Sequence, residues 1–134
     1  MTKRQNISSG TKWEKIAGYS RAVRVGNVVH VSGTTATDAD DNVHGGDDPY
    51  EQTCYIIKKI ERALIEAGAT LADVVRTRIY LVDKNQWQPV SKAHAEFFGD
   101  IRPANTLLEV SALIGPGYLV EMEAEAIIGA GSEV

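Results

Sequence analysis

The strongest constraint on this chain lies between Asp48 and Gly68. There Thr53, Ile56, Ile57, Ile60, Ala63, Leu64 and Ala67 recur at helical spacing, while Glu51, Tyr55, Lys58, Arg62 and Glu66 fall on the opposite side. The pattern predicts a helix over residues 49–67 with one buried stripe. Asp48 suits the N-cap, Pro49 the first helical position, Glu51 the far member of a capping box, and Gly68 the C-cap. A helix with a single apolar stripe must cover another element, and the rest of the chain supplies a sheet. A second helix is expected over residues 86–98, with Trp87, Val90, His94, Phe97 and Phe98 inward, its regular part confined to the residues after Pro89 and Gly99 as its stop.

Strands are expected at 22–25 and 28–32, joined by the two-residue hairpin signal Gly26-Asn27. Residues 74–82 alternate, with Val75, Thr77, Ile79 and Leu81 on one face and Arg76, Arg78 and Tyr80 on the other. Residues 106–110 read as a short strand. Residues 119–128 alternate with Val120, Met122, Ala124, Ala126 and Ile128 inward. The order β-β-α-β-α-β-β describes an α+β fold, two helices packed on one face of a mixed sheet.

Length and composition narrow the class. The 134 residues, 43% hydrophobic and 24% charged, suit one globular domain over 1–134. One cysteine, Cys54, excludes an intrachain disulfide framework and a multi-cysteine metal site. No apolar run approaches the ~18 residues of a membrane span, and the start, MTKRQNISSG, has no apolar stretch behind it. A cytoplasmic protein without membrane association is expected. The basic residues are scattered and the net charge is −4, which argues against nucleic acid as a partner.

Few residues are placed for chemistry. Residues 34–47 form a polar loop in which Asp38, Asp40 and Asn42 match the first calcium-ligand positions of an EF-hand. Val43 stands where Gly is required and Pro49 where Glu is required, so the pattern fails. His30, His44 and His94 have no second ligand at metal spacing, and neither a metal nor a cofactor is expected. His94 reads as a satisfied core histidine, and Cys54 as a buried, inert thiol. Glu121, Glu123 and Glu125 share one face of the last strand, about 6.7 Å apart in succession. Such a row needs opposing cations, and Arg76 and Arg78 are candidates; one glutamate could instead be a site carboxylate. Ser32-Gly33-Thr34 ends a strand in a turn able to present backbone N–H groups to an anion or carbonyl. Gly115-Pro116-Gly117 reads as a plain inter-strand loop.

Taken in order, several segments resemble the YjgF/RidA family: Gly18-Tyr19-Ser20, Val25-Gly26-Asn27 through Val31-Ser32-Gly33, Ala67-Gly68-Ala69, Asp73-Val74-Val75, Phe97-Phe98, Arg102-Pro103-Ala104, Glu109-Val110 and Glu121-Met122-Glu123-Ala124. The resemblance implies a chorismate-mutase-like fold, a homotrimer around a central barrel, and small-molecule clefts between neighbouring subunits. It also implies hydrolysis of reactive enamines or imines to 2-keto acids and ammonia. By position, Tyr19, Ser32, Gly33 and Glu121 match the family's cleft residues, Glu121 as the catalytic group that positions water.

The match is incomplete. Asn105 stands where the family's arginine clamps the substrate carboxylate, Thr34 replaces a glutamine, Ser91 an asparagine and Leu107 a cysteine. Exchanging a charge-assisted pair of ~1.5–3 kcal/mol for a neutral bond of ~0.5–1.5 kcal/mol loses about 5–30-fold in affinity. Arg21, Arg24 or Arg102 would have to reach the cleft to restore the charge, whereas Asn105 suits a neutral amide, carbonyl or hydroxyl. Two further functions stay open: a non-catalytic ligand-binding or regulatory trimer, and the translation-inhibitor or endoribonuclease role some family members carry.

Overall fold

A computed structural model describes residues 3–132. In chain order these form β1 (Arg4–Ile7), α1 (Lys12–Ala17), β2 (Ala22–Val25), β3 (Val28–Thr34), α2 (Pro49–Glu66), β4 (Val74–Leu81), α3 (Trp87–Phe98), β5 (Ala104–Glu109) and β6 (Val120–Ile127). The six strands make one mixed sheet, ordered β1-β2-β3-β6-β4-β5. Only the β4–β5 pair is parallel. The α+β class expected from the sequence holds, with three helices rather than two.

The Asp48 side chain accepts from the backbone N–H groups of Tyr50 and Glu51, so the predicted cap forms. The capping box does not close, because the Asp48 N–H is already given to the Gly45 carbonyl. At the other end Gly68 takes φ +93°. Its N–H donates to Ile65 O and that of Ala69 to Leu64 O, the paired closure that a left-handed glycine permits. Arg24 Nη1 then donates to Ala67 O at 2.8 Å, a cation on the helix C-terminus. Between these ends Ile56, Ile57, Ile60 and Leu64 are fully buried against Val29 and Val31 of β3, Ile79 and Leu81 of β4, and Val120 and Met122 of β6.

Three details differ from the periodicity. In β4, Val74 opposes Ala126 and Arg76 opposes Glu125, so Val75 is the extra residue of a bulge and is exposed; Val74 takes the inward place. In α3 the helix starts at Trp87, before Pro89, because a first-turn N–H has no intrahelical partner and proline loses nothing there. Trp87 is 51% exposed, and Val90, Ala93 and Phe98 face inward. Finally, β1 lies in the segment read only for a leader, and α1 just after it, where no element was expected; β1 pairs antiparallel with β2.

Gln52, wholly buried in α2, ties two loops to the helix. Its Nε2 donates to Gly46 O (2.7 Å) and Gly117 O (2.9 Å), and its Oε1 accepts from Leu119 N (3.0 Å). Removing it leaves three part-buried backbone groups without their partner, each at a penalty toward the lower end of roughly 1–3 kcal/mol because water reaches the loop residues. Gln52→Leu should lower unfolding free energy by about 2–4 kcal/mol in chemical denaturation, whereas Gln88→Leu on the exposed side of α3 should change it by under about 0.5 kcal/mol.

Candidate functional site

The β3–β6 register slips between Val31 and Thr34: Val31 opposes Ala124, but Thr34 opposes Met122. The extra residue lets both Val31 and Thr34 face the core although they are three apart, and it leaves Gly33 directly beneath Glu121. A Cβ on Gly33 would lie 2.2 Å from Glu121 Oε2, so glycine here is what lets the carboxylate lie this close to the strand, through its missing side chain rather than its backbone angle.

The three glutamates of β6 now separate. Glu125 pairs with Arg78 (3.0 Å) and His30 (3.3 Å), and Glu123 with Arg78 (3.5 Å) and the Tyr80 hydroxyl (2.9 Å). Those two form the charge ladder on the open sheet face, with Arg78 as its cation. Arg76, also expected to oppose them, donates to Thr106 Oγ1 instead. The Glu121 carboxylate accepts no hydrogen bond from any described residue and borders a cleft of about 730 Å³. Burial raises its carboxyl above the ordinary glutamate range, Arg21 opposes that rise and Glu123 adds to it. An ionised carboxylate of raised basicity, unpaired and facing a cavity, is suited to accept a proton from water.

Arg21, just before β2, is buried in the wall of this cleft. Its Nη1 donates to Gly33 O (2.8 Å) and Thr34 Oγ1 (2.9 Å), and its Nη2 to the Tyr19 hydroxyl (3.4 Å). Lys59 of α2 reaches the same cavity, and the sequence reading passed over it. Its Nζ donates to Thr35 O (2.8 Å) and Thr37 O (2.7 Å), holding residues 35–37 against the helix. Burial, with help from Arg21 and Arg62 and against Asp38, lowers the Lys59 amine to about 8.

The 34–47 loop forms one wall and is closed on itself. Asp38 accepts from the backbones of Asp40 and Asn42 and lies 3.0 Å from His44 Nε2; those bonds, His44 first, hold its carboxyl at about 2. His44 in turn stacks on Tyr55, ring centroids 4.2 Å apart. On the facing wall, α1 brings Trp13, whose Nε1 donates to Asp41 Oδ1 at 3.3 Å. The loop read as plain also lines the cleft, through Ile114, Gly115, Pro116 and Tyr118.

Of the expected site residues, Tyr19, Gly33, Glu121 and Arg21 meet here. Thr34 does not line the cavity but positions Arg21. Ser32 also falls outside: its hydroxyl donates to Ser20 O at 2.6 Å, and it borders the open sheet face with Arg78 and Glu123. Arg24 is committed to the end of α2, and Arg102, at φ +56°, follows α3 away from the cleft. Ser91 lies on α3, likewise outside. Asn105 is on the edge strand β5, where its Oδ1 accepts from the buried Thr77 hydroxyl. That hydroxyl has one proton, so His94 Nε2, 3.0 Å away, is its donor. Within one chain Asn105 and Glu121 are therefore not brought together. Cys54 is half-buried, and burial raises its thiol, which suits an inert role.

Two measurements follow from the carboxylate. A group whose folded-state pKa is raised stabilises the fold below its unfolded value and loses that contribution as pH rises through the folded one. Glu121→Gln should therefore match or exceed the unaltered protein in stability at pH 7, and the difference should vanish near pH 4. Denaturation at both pH values measures it. Gly33→Ala meets only the end of a mobile side chain, so it should fold while displacing Glu121; NMR titration of the Glu121 carboxyl should show its pKa shifted back toward the ordinary range.

Comparison with known proteins agrees with this architecture. Residues 10–128 match the family model described as Endoribonuclease L-PSP. A RutC family protein of Pyrococcus abyssi is 40% identical over 111 residues, 83% of this chain and 87% of that one. A Streptomyces coelicolor protein is 40% identical over 126 residues, 94% of this chain and 93% of its own. Among solved structures, Rv2704 of Mycobacterium tuberculosis, described as a member of the YjgF/YER057c/UK114 family, has a TM-score of 0.86 at 51% identity, covering 94% of this chain and 100% of that one. With the family model spanning most of its length and these relatives matched nearly end to end, the chain belongs to the YjgF/RidA family.

Proposed function

We propose that the protein is a small-molecule hydrolase of the deaminase type, acting on an imine, enamine or related carbonyl compound. Its Glu121 is the general base. The observation that carries this reading is the unpaired, partly desolvated Glu121 carboxylate at a cavity that also holds the Arg21 guanidinium and the Tyr19 hydroxyl. Glu121 takes a proton from water as the oxygen adds to the C=N carbon and returns it to nitrogen, giving a carbinolamine; it then relays the proton of the new hydroxyl to the same nitrogen as the C–N bond breaks, so that ammonia leaves and a carbonyl remains. Arg21, held by Gly33 and Thr34, faces the charge that develops on the added oxygen.

The cleft does not depend on Asn105 for positive charge, since Arg21 supplies it from within the same chain. In a homotrimer of the kind the family resemblance implies, Asn105 on the exposed strand β5 would contribute only to a neighbouring subunit's cleft. Its carbonyl is occupied by Thr77, so it would offer N–H donors there.

Imines generated in situ from amino acids by an oxidase, with ammonia release followed in real time, test the reading. The expected result is catalysed release that falls at least 100-fold in Glu121→Gln, and that declines in acid as a group titrating above the ordinary glutamate range takes up its proton. Ligand-induced thermal stabilisation with no ammonia from any imine would replace the hydrolase with a binding protein. RNA cleavage surviving purification and lost in Glu121→Gln would instead favour the endoribonuclease role.

A further inference from the structure

Lys59 lines the cleft, yet the proposed reaction has no use for it. Half-buried on α2, it donates from Nζ to Thr35 O (2.8 Å) and Thr37 O (2.7 Å), with Thr37 Oγ1 at 3.4 Å. It forms no ion pair with a carboxylate of any described residue. Its surroundings disfavour an ammonium. Burial acts first, then the guanidiniums of Arg21, just before β2, and of Arg62, three residues along α2. Only Asp38 of the 34–47 loop acts the other way, and that carboxylate is already held by His44 and the loop backbone. The amine therefore titrates at about 8, well below an ordinary lysine.

The two carbonyls govern what the neutral form can do. An ammonium carries three protons and a neutral amine two. Thr35 O and Thr37 O can take both protons of the neutral amine, so losing the third breaks neither bond and leaves a lone pair in its place. The Thr37 hydroxyl can turn instead to Thr35 Oγ1, 3.2 Å away, and so does not block that position. A desolvated lysine beside other cations, held at the wall of a cavity, is nucleophilic toward carbonyl carbon near neutral pH.

We propose that Lys59 is a covalent binding site for aldehydes, which it holds reversibly in the cleft as a Schiff base. The Nζ lone pair bonds to the carbonyl carbon, the C=O π pair moves to oxygen, and one nitrogen proton passes to that oxygen to give a carbinolamine. The C–O bond then breaks, the hydroxyl leaves with the second nitrogen proton as water, and the nitrogen pair closes the C=N bond. Water reverses both steps. Capture needs no turnover, so it stands apart from the hydrolase reading.

Treating the full chain at pH 7 with propanal and cyanoborohydride tests this, since the hydride reduces a Schiff base to a stable secondary amine. A time course with tandem mass spectrometry of the peptides locates each alkylated lysine. At pH 7 ~10% of an amine titrating at about 8 is neutral, against under ~0.1% of an ordinary lysine. Lys59 should therefore react at least tenfold faster than Lys58, the exposed residue beside it. In guanidinium chloride that unfolds the chain, the two rates should converge to within about twofold, because the difference belongs to the fold. Lys59→Arg, which keeps donors for the two carbonyls, should leave no lysine reacting at the fast rate. Equal rates at Lys58 and Lys59 in the folded protein, a tenfold preference that survives unfolding, or a fast-reacting lysine remaining in Lys59→Arg would each overturn the proposal.

Discussion

Everything distinctive about this molecule passes through the pairing of β3 with β6. One extra residue in β3 shifts the register after Val31, returns Thr34 to the core and puts Gly33 under the side chain of Glu121. A regular ladder would have set Thr34 against Glu121 from β3, while Tyr80 opposes it from β4. The bulge instead puts a residue without a side chain beneath the carboxylate, which borders the cavity, and burial there raises its proton affinity. Placement and basicity thus share one cause in the backbone.

The same turn organises the cation. Arg21 uses its guanidinium on the Gly33 carbonyl and the Thr34 hydroxyl, so its position is set by the segment that sets Glu121. A buried guanidinium with three protein acceptors is well held, and the nearby carboxylate limits the penalty of leaving both in a partly dry site. The arginine expected on β5 is replaced by Asn105, yet the cleft has not become electrically neutral. Positive charge has a different origin: Arg21 before β2, and Lys59 and Arg62 from α2.

The walls depend on contacts that carry little energy alone but act in the same place. Gln52 fixes the loop after β5 through Gly117 and Leu119, Lys59 fixes residues 35–37, and the Trp13–Asp41 bond joins α1 to the far side of the 34–47 loop. A rigid α2 is common to the first two. Its own stability comes from the apolar stripe of Ile56, Ile57, Ile60 and Leu64 packed on the sheet, so the core of the fold is also the frame of the cleft.

The helix of α2, its Asp48 cap and its Gly68 stop were legible because each rests on neighbours within a few residues, where spacing alone decides which side chains share a face. The same holds for the alternation of β6 and the hairpin at Gly26, whose φ of +59° suits the first central position of such a turn. Short segments were not legible: β1 and α1 span four and six residues, too few for a period to emerge, and the sheet and the cleft hold them rather than their own pattern. Lys59 was invisible for a related reason, since a lysine beside an apolar stripe looks like any solvated one until a loop folds over it. Local order, fold class and the row of glutamates were thus written in the chain itself. Which glutamate faces the cavity, which arginine stands beside it and where Asn105 goes were decided only by long-range pairing, because strand register and bulges are set by partners distant in sequence.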